Sequence, residues 1–276
     1  MSADACSEDA RGDICTLHRG TAPLLISVPH DGALIPEALA MRMHVHARTA
    51  ADTDWHVARL YDFARDALGA SMIVPRYSRY VVDLNRPPDD TSLYPGQNTT
   101  GLCPARSFDG RDIYLPDQAP TDNEVNGRVT RYWQPYHATL AAELARLRAL
   151  HGRVLLWEAH SIRGDGLPFL FEGRLPDLNL GTAGGASCGA DVQSRLQATL
   201  ANQSRYDWVV NGRFKGGYIT RHYGAPQAGV DAVQLEISQR SYMDEETGVF
   251  DEARAAQLQA LLQHLLHAAV DASLQR

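Results

Sequence analysis

Lysine is almost absent from the chain: Lys215 is the only one among 26 basic side chains, and the rest are arginine. Basic residues as a whole are too few for a nucleic-acid binder. The 33 acidic side chains leave a formal charge of −7 and no excess to neutralise phosphates. A pocket can still be positive inside a negative protein, and arginine forks grip carboxylates with two parallel hydrogen bonds. Cysteine is scarce too. Cys6, Cys15, Cys103 and Cys188 contain no C-x-x-C pair, which excludes a zinc knuckle or redox dithiol, and a chain of 276 residues needs no disulfide staples. No apolar run approaches the roughly 18 residues that signal a membrane span. The start, MSADACSEDARGD, lacks the basic and apolar regions of a signal peptide. A soluble, cytoplasmic protein with no nucleic-acid or membrane partner is expected. P-loop, GxGxxG and G-x-S-x-G patterns are all missing, so nucleotide-binding and serine-hydrolase readings find no support.

What is present reads as strands alternating with helices. Residues 1–20 read as a lead-in and 21–276 as a single domain. LLISV at 24–28, SMIV at 71–74, Tyr80–Leu84 and VLLWEAH at 154–160 have strand character, as do 208–223 and 232–237 around a short helix or turn. Helices are predicted over 50–69, 121–150, 188–204 and 251–273, with Gly69 as a stop and Thr121 with Glu124 as a cap. His264 and His267 in the last helix read as surface or interface residues. Between Asn85 and Pro120 runs a long Pro/Gly/Asp-rich stretch of the kind that forms a lid or pocket wall. Residues 161–187 read as a glycine-rich loop. This alternation without clear linkers points to a three-layer α/β/α domain, in which ligand sites gather at strand ends.

Four segments carry candidate chemistry. In PHDG, His30 directly follows a buried strand and either closes a turn or offers a nitrogen to a metal. In DTD, Asp52 and Asp54 near a helix start either cap that helix or ligate. In EAHS, Glu158 is placed to orient the ring of His160. In QLEIS, Glu236 interrupts an apolar strand, either as its outward member or as a base in a pocket. Two histidines and a carboxylate would form a three-ligand zinc site with an open fourth position, and a separate carboxylate would serve the water there. Arg79 and Arg86 flank Asp83 and Asn85. Arg213, Lys215, Arg221 and His222 surround Gly216–Gly217. Both groups suit either surface ion pairs or a pocket for one or two carboxylates.

The segments LLISVPHDG, ADTDWHVARLYDFA, YSRYVVDLNRPP, LYPGQNTTGLCP, EAHSI, DLNLGT, FKGGYITRHYG and VQLEISQRSYMDE, spread from about residue 20 to 270, resemble the N-formylglutamate amidohydrolase family of histidine degradation. The resemblance implies a mixed central sheet between helices, similar to the zinc-dependent exopeptidases (phosphorylase/hydrolase-like). It implies hydrolysis of N-formyl-L-glutamate to formate and L-glutamate, with a divalent ion, zinc, on His30, Asp54 (preferred to Asp52) and His160. Glu236 would be the general base and Arg79 would steady the carbonyl oxygen. Asn85 and Arg86 resemble an Asn-Arg pair that holds a substrate carboxylate, with Arg213 or Arg221 for the other; Lys215 and His222 lie in the segment resembling the substrate loop. Many relatives carry aspartate where this chain has Glu158. Related activities on other N-acyl amino acids or peptides, and a non-catalytic dicarboxylate-binding role, are the alternatives. A monomer or small homo-oligomer is expected.

Overall fold

The computed structural model describes residues 14–93, 96 and 98–275. Cys6 and residues 1–13 of the expected lead-in lie outside the described residues, as do Tyr94, Pro95 and Gln97 of the LYPGQ stretch. Among the described residues seven strands are formed: β1 (Cys15–His18), β2 (Leu24–Ser27), β3 (Ser71–Pro75), β4 (Val154–Ile162), β5 (Leu178–Gly181), β6 (Trp208–Val210) and β7 (Val230–Ser238). They join in one sheet of order β1-β3-β2-β4-β7-β5-β6. The central run β3, β2, β4 and β7 is parallel, while β1 pairs antiparallel with β3 and β5 antiparallel with β7. The sheet is therefore mixed. The helices are α1 (Glu37–Ala40), α2 (Val57–Leu60), α3 (Asp62–Asp66), α4 (Asp122–Arg128), α5 (Gln134–His151), α6 (Ala190–Ala201), α7 (Tyr218–Tyr223) and α8 (Glu252–Leu274).

Period-two alternation sorts the central strands onto two cores. Leu155, Trp157 and Ala159 of β4 and Val233, Leu235 and Ile237 of β7 pack against α2, α3, α6 and α8, where Leu258, Leu262, Leu265 and Leu266 supply one stripe. Leu156 and Ala232 face the other way, against Tyr136, Leu140, Leu144 and Leu147 of α5. The three-layer architecture follows from both faces being apolar. His264 and His267 are exposed on α8, as expected. Among the described residues no helix is long and apolar enough to cross a membrane.

Five local expectations are corrected. The helix expected over 50–69 is confined to α2 and α3, because His56 takes a left-handed φ of 65° and residues 50–56 turn back onto the end of β2. Tyr80–Leu84 is not a strand. Its apolar side chains are buried, but its backbone is spent on turns, with Val81 N donating to Ser78 O (2.9 Å) and Asp83 N to Leu102 O (2.7 Å). Part of the 1–20 lead-in is the edge strand β1, and the 161–187 loop contains β5. Both are four-residue strands whose signal is too short to stand out from sequence alone. Finally, 208–223 yields one strand, β6, followed by α7. The long helical reading from 121 holds as α4, a π-turn at Val129–Trp133, and α5, with Thr121 Oγ1 accepting from Glu124 N.

Candidate active site

Because β2, β4 and β7 are parallel, their C-terminal ends meet at one edge of the sheet, and the polar residues beyond each apolar run meet with them. The register pairs His160 of β4 with Glu236 of β7 and Glu158 with Gln234. By alternation all four side chains leave the sheet on the side opposite Trp157 and Leu235. Directly paired neighbours of this kind lie about 5 Å apart. The turn after β2 brings in His30, and Asp54 N donates to His30 O (3.0 Å), which anchors the DTD turn against it. His30, Asp54 and His160 are all buried, with one donor atom of each within 4.8 Å of the others.

The two imidazoles are oriented alike. His160 Nδ1 lies 2.9 Å and His30 Nδ1 3.6 Å from Asp54 Oδ2. Their Nε2 atoms point outward onto carboxylates, His30 donating to Asp83 Oδ1 (2.7 Å) and His160 to Glu158 Oε1 (2.6 Å). A ring whose Nε2 carries the proton leaves Nδ1 bare for a ligand. His30 Nδ1 and Asp54 Oδ1 are buried without a hydrogen-bond partner. Two imidazoles, one carboxylate and these orphaned atoms fit a divalent metal ion. Asp52 is turned away, its Oδ2 accepting from Phe108 N (2.8 Å), so Asp54 is the carboxylate brought to the histidines.

The charges in this buried set support one another. Burial would raise Asp54, but His30 and His160 outweigh it and hold the carboxyl well below the usual range. Burial would lower His160, and Glu158 with Asp54 more than offset it, so its pKa lies well above the ordinary value. Asp83 is likewise held down by His30 and Arg79 against its burial. Glu236 behaves differently: burial pushes it up to about 8, partly opposed by His160. Its nearest polar partner is Gln234, whose amide donates to Oε2 at 3.4 Å.

A cleft with about 70 Å³ of water-accessible space opens over this group, and His30, Arg79, Asn85, Arg86, His160, Arg213 and Glu236 all line it. Arg79 is buried, donates to Asp83 Oδ2 (2.7 Å) and has NH1 3.6 Å from Asp54 Oδ1. Asn85 sits with its amide nitrogen 3.1 Å from His160 Nε2 and its oxygen accepting from Ile219 N. A Cβ on Gly217 would collide with that amide, which explains the need for glycine there. Arg86 donates to Thr100 O (2.9 Å), and Arg213 to Asn98 O and Leu170 O, so both reach across the cleft's loops.

Three expected substrate residues are not brought to the cleft. Lys215, Arg221 and His222 are exposed and do not line it. On α7 the inward positions are Ile219 and Thr220, and a helix turns about 100° per residue, so the next two positions face out. Arg221 Nε donates to Gly216 O, and His222 stacks on Tyr218. Sequence reasoning also missed residues that matter. Asp83, placed by sequence only between Arg79 and Arg86, accepts from both His30 and Arg79, and its signal was a buried-looking acid in YVVDL. Thr220 donates through N and Oγ1 to Glu158 Oε2, and Gln234 lies beside Glu236. Phe108, 56 positions from Asp52 in sequence, had no local signal.

Residues 22–243 match the family described as N-formylglutamate amidohydrolase. The chain belongs to that family. An N-formylglutamate deformylase of Pseudomonas aeruginosa is 51% identical over 259 residues, covering 92% of this chain and 96% of the relative. One from Pseudomonas putida is 49% identical over 256 residues, covering 92% and 95%. The crystal structure of an N-formylglutamate amidohydrolase from Ralstonia eutropha superimposes with a TM-score of 0.77 at 27% identity, covering 93% of this chain and 97% of that one. A gene product of Agrobacterium tumefaciens shares the fold at TM-score 0.68 and 19% identity, covering 94% and 97%. The N-formylglutamate amidohydrolase match ends at Met243, and α8 lies beyond it.

Proposed function

We propose that this member of the N-formylglutamate amidohydrolase family hydrolyses N-formyl-L-glutamate to formate and L-glutamate, the step that the resemblance places in cytoplasmic histidine degradation. Residues 21–276 act as one catalytic domain on a sheet similar to that of the zinc-dependent exopeptidases. The observation that carries the reading is the buried His30, Asp54 and His160 set beside Glu236, at the floor of a cleft that Arg79, Arg86 and Arg213 also line.

His30, Asp54 and His160 would hold one divalent ion, zinc on the N/O donor set. When bound, it supplies a Lewis acid that makes water a nucleophile at neutral pH and polarises the amide carbonyl. Glu236 takes the proton of the attacking water; its carboxyl is buried and binds a proton readily, and it returns that proton to the departing nitrogen. Arg79 directs guanidinium N–H groups to the oxygen on which charge develops, while Asp83 keeps it in place. Asn85, Arg86 and Arg213 receive the substrate carboxylates by charge-assisted hydrogen bonds.

Formate release and metal content, measured on the same preparation, test the assignment. Glu236→Gln should keep its metal and lose about 10²–10⁴-fold in turnover, the range for a general base. His160→Ala should lose both metal and activity. Undiminished turnover in Glu236→Gln refutes the role of that residue.

A further inference from the structure

Polar residues His30, Arg79, Asn85, Arg86 and Glu236 line the cleft together with an apolar patch of Phe108, Ile162, Leu170 and Phe214. Phe108 and Ile162 pack with Leu167 and Leu175 in a small cluster apart from the two main cores. Next to them lies a second, smaller space with about 20 Å³ open to water, lined by Thr53, Ser161, Leu167 and Gln239 and by the same Phe108 and Ile162. Those two side chains are thus a partition between cleft and void. That space just exceeds the roughly 10–15 Å³ that admits one water-sized group, which is also the scale of a methyl.

The partition stands beside the reacting groups. Ile162 follows His160 by two positions on β4 and so shares its face. The Arg79 guanidinium lies 4.6 Å from the centre of the Phe108 ring, and Phe108 N is tied to Asp52 Oδ2. The guanidinium therefore covers one face of the ring, and the backbone that carries the ring is anchored. Asn85 and Arg86 line the cleft but not the void. An amide bound with its carboxylate-bearing nitrogen side toward Asn85 and Arg86 sends its acyl substituent the other way, toward this partition.

The geometry points to Phe108 and Ile162 as the residues that limit the acyl group to formyl, the void beside them being the room that a larger acyl group takes once the partition is cut back. This rests on the hydrolase reading above and names what sets its selectivity. A formyl carbon carries only hydrogen on that side, whereas an acetyl methyl would press into the buttressed ring.

The experiment compares metal-loaded wild type, Phe108→Ala and Ile162→Ala. Formate release from N-formyl-L-glutamate and acetate release from N-acetyl-L-glutamate are measured, and the ratio of the two kcat/KM values is the readout. A methyl-sized difference in a packed site is worth about 10–200-fold. The acetyl-to-formyl ratio in Phe108→Ala should rise at least about tenfold, and a smaller rise overturns the proposal. Nonspecific damage lowers both rates and leaves the ratio where it was. If Phe108→Ala fails to retain metal, Ile162→Ala, which keeps the ring under Arg79, is held to the same threshold. A wild type that releases no formate overturns the hydrolase reading itself, which separates the two failures.

Discussion

Glu158→Gln probes the metal centre without touching a ligand. Glu158 divides its carboxylate between two tasks: Oε1 accepts from His160 Nε2 at 2.6 Å, and Oε2 accepts from Thr220 N at 3.0 Å and from Thr220 Oγ1. A glutamine has only one acceptor oxygen. If that oxygen stays on Thr220, the NH₂ group faces His160 Nε2, which must then be bare. The ring proton moves to Nδ1, the nitrogen facing Asp54, where it blocks ligation. If the amide turns over instead, the Thr220 donors face NH₂ in a buried site, a mismatch of about 1–3 kcal/mol. Loss of such an orienting carboxylate typically costs about 10–100-fold in metal affinity, equivalent to about 1.4–2.8 kcal/mol. The two routes thus converge on one magnitude. The assay is zinc affinity by competition with a chelator, with apo-protein melting curves as a control for folding. Glu158→Asp, which keeps both acceptor oxygens on a shorter stem, should weaken binding less. A glutamine variant whose zinc affinity stays within about threefold of wild type would falsify the argument.

Two further predictions concern stability. His137 is buried, its Nε2 donating to Leu84 O and its Nδ1 accepting from Tyr223 OH, both at 2.9 Å; burial, helped by His222, pushes its pKa down to about 3. The unfolded chain, with a histidine near 6.5, binds more protons at pH between 3 and 6.5. The contribution is therefore intact above 6.5 and lost as pH falls, by about 2 kcal/mol between pH 7 and 5. Urea unfolding at the two pH values measures it, and a slope unchanged in His137→Gln refutes the attribution. Asp251 caps α8, its Oδ1 accepting from Ala253 N and Arg254 N at 3.0 Å each. Asp251→Ala should cost about 1 kcal/mol, read from the denaturation midpoint.

Much of the site was legible because its chemistry lies at the ends of strongly patterned strands. LLISVPHDG and VLLWEAH open on short continuous apolar runs and QLEIS on an alternating one, which identify β2, β4 and β7, and a sheet in which these strands run parallel collects their ends. His30, His160 and Glu236 needed little more than that. The DTD segment was readable only as a pair of acids, since helix capping and ligation use the same residues at the same spacing. Tyr80–Leu84 looked like a strand because short apolar runs are buried equally well in turns. The arginine-rich 213–224 segment mixed one cleft residue, Arg213, with three exposed ones, and only the rotation of α7 separates Arg221 and His222 from the site.

The sequence by itself determined the α/β alternation, the strand ends that bear two histidines and a base, and an arginine-rich basic set suited to a carboxylate pocket. These are local properties, written in periodicities of two and 3.6 residues. Tertiary structure decided that Asp54 and not Asp52 meets the histidines, and that Asp83 fixes the His30 ring as Glu158 fixes that of His160 from two positions away on the same strand. It also set Phe108 against Arg79, far away in the chain. Such choices depend on which backbone groups the long loops find as partners, a matter of non-local contact that no spacing in the chain records.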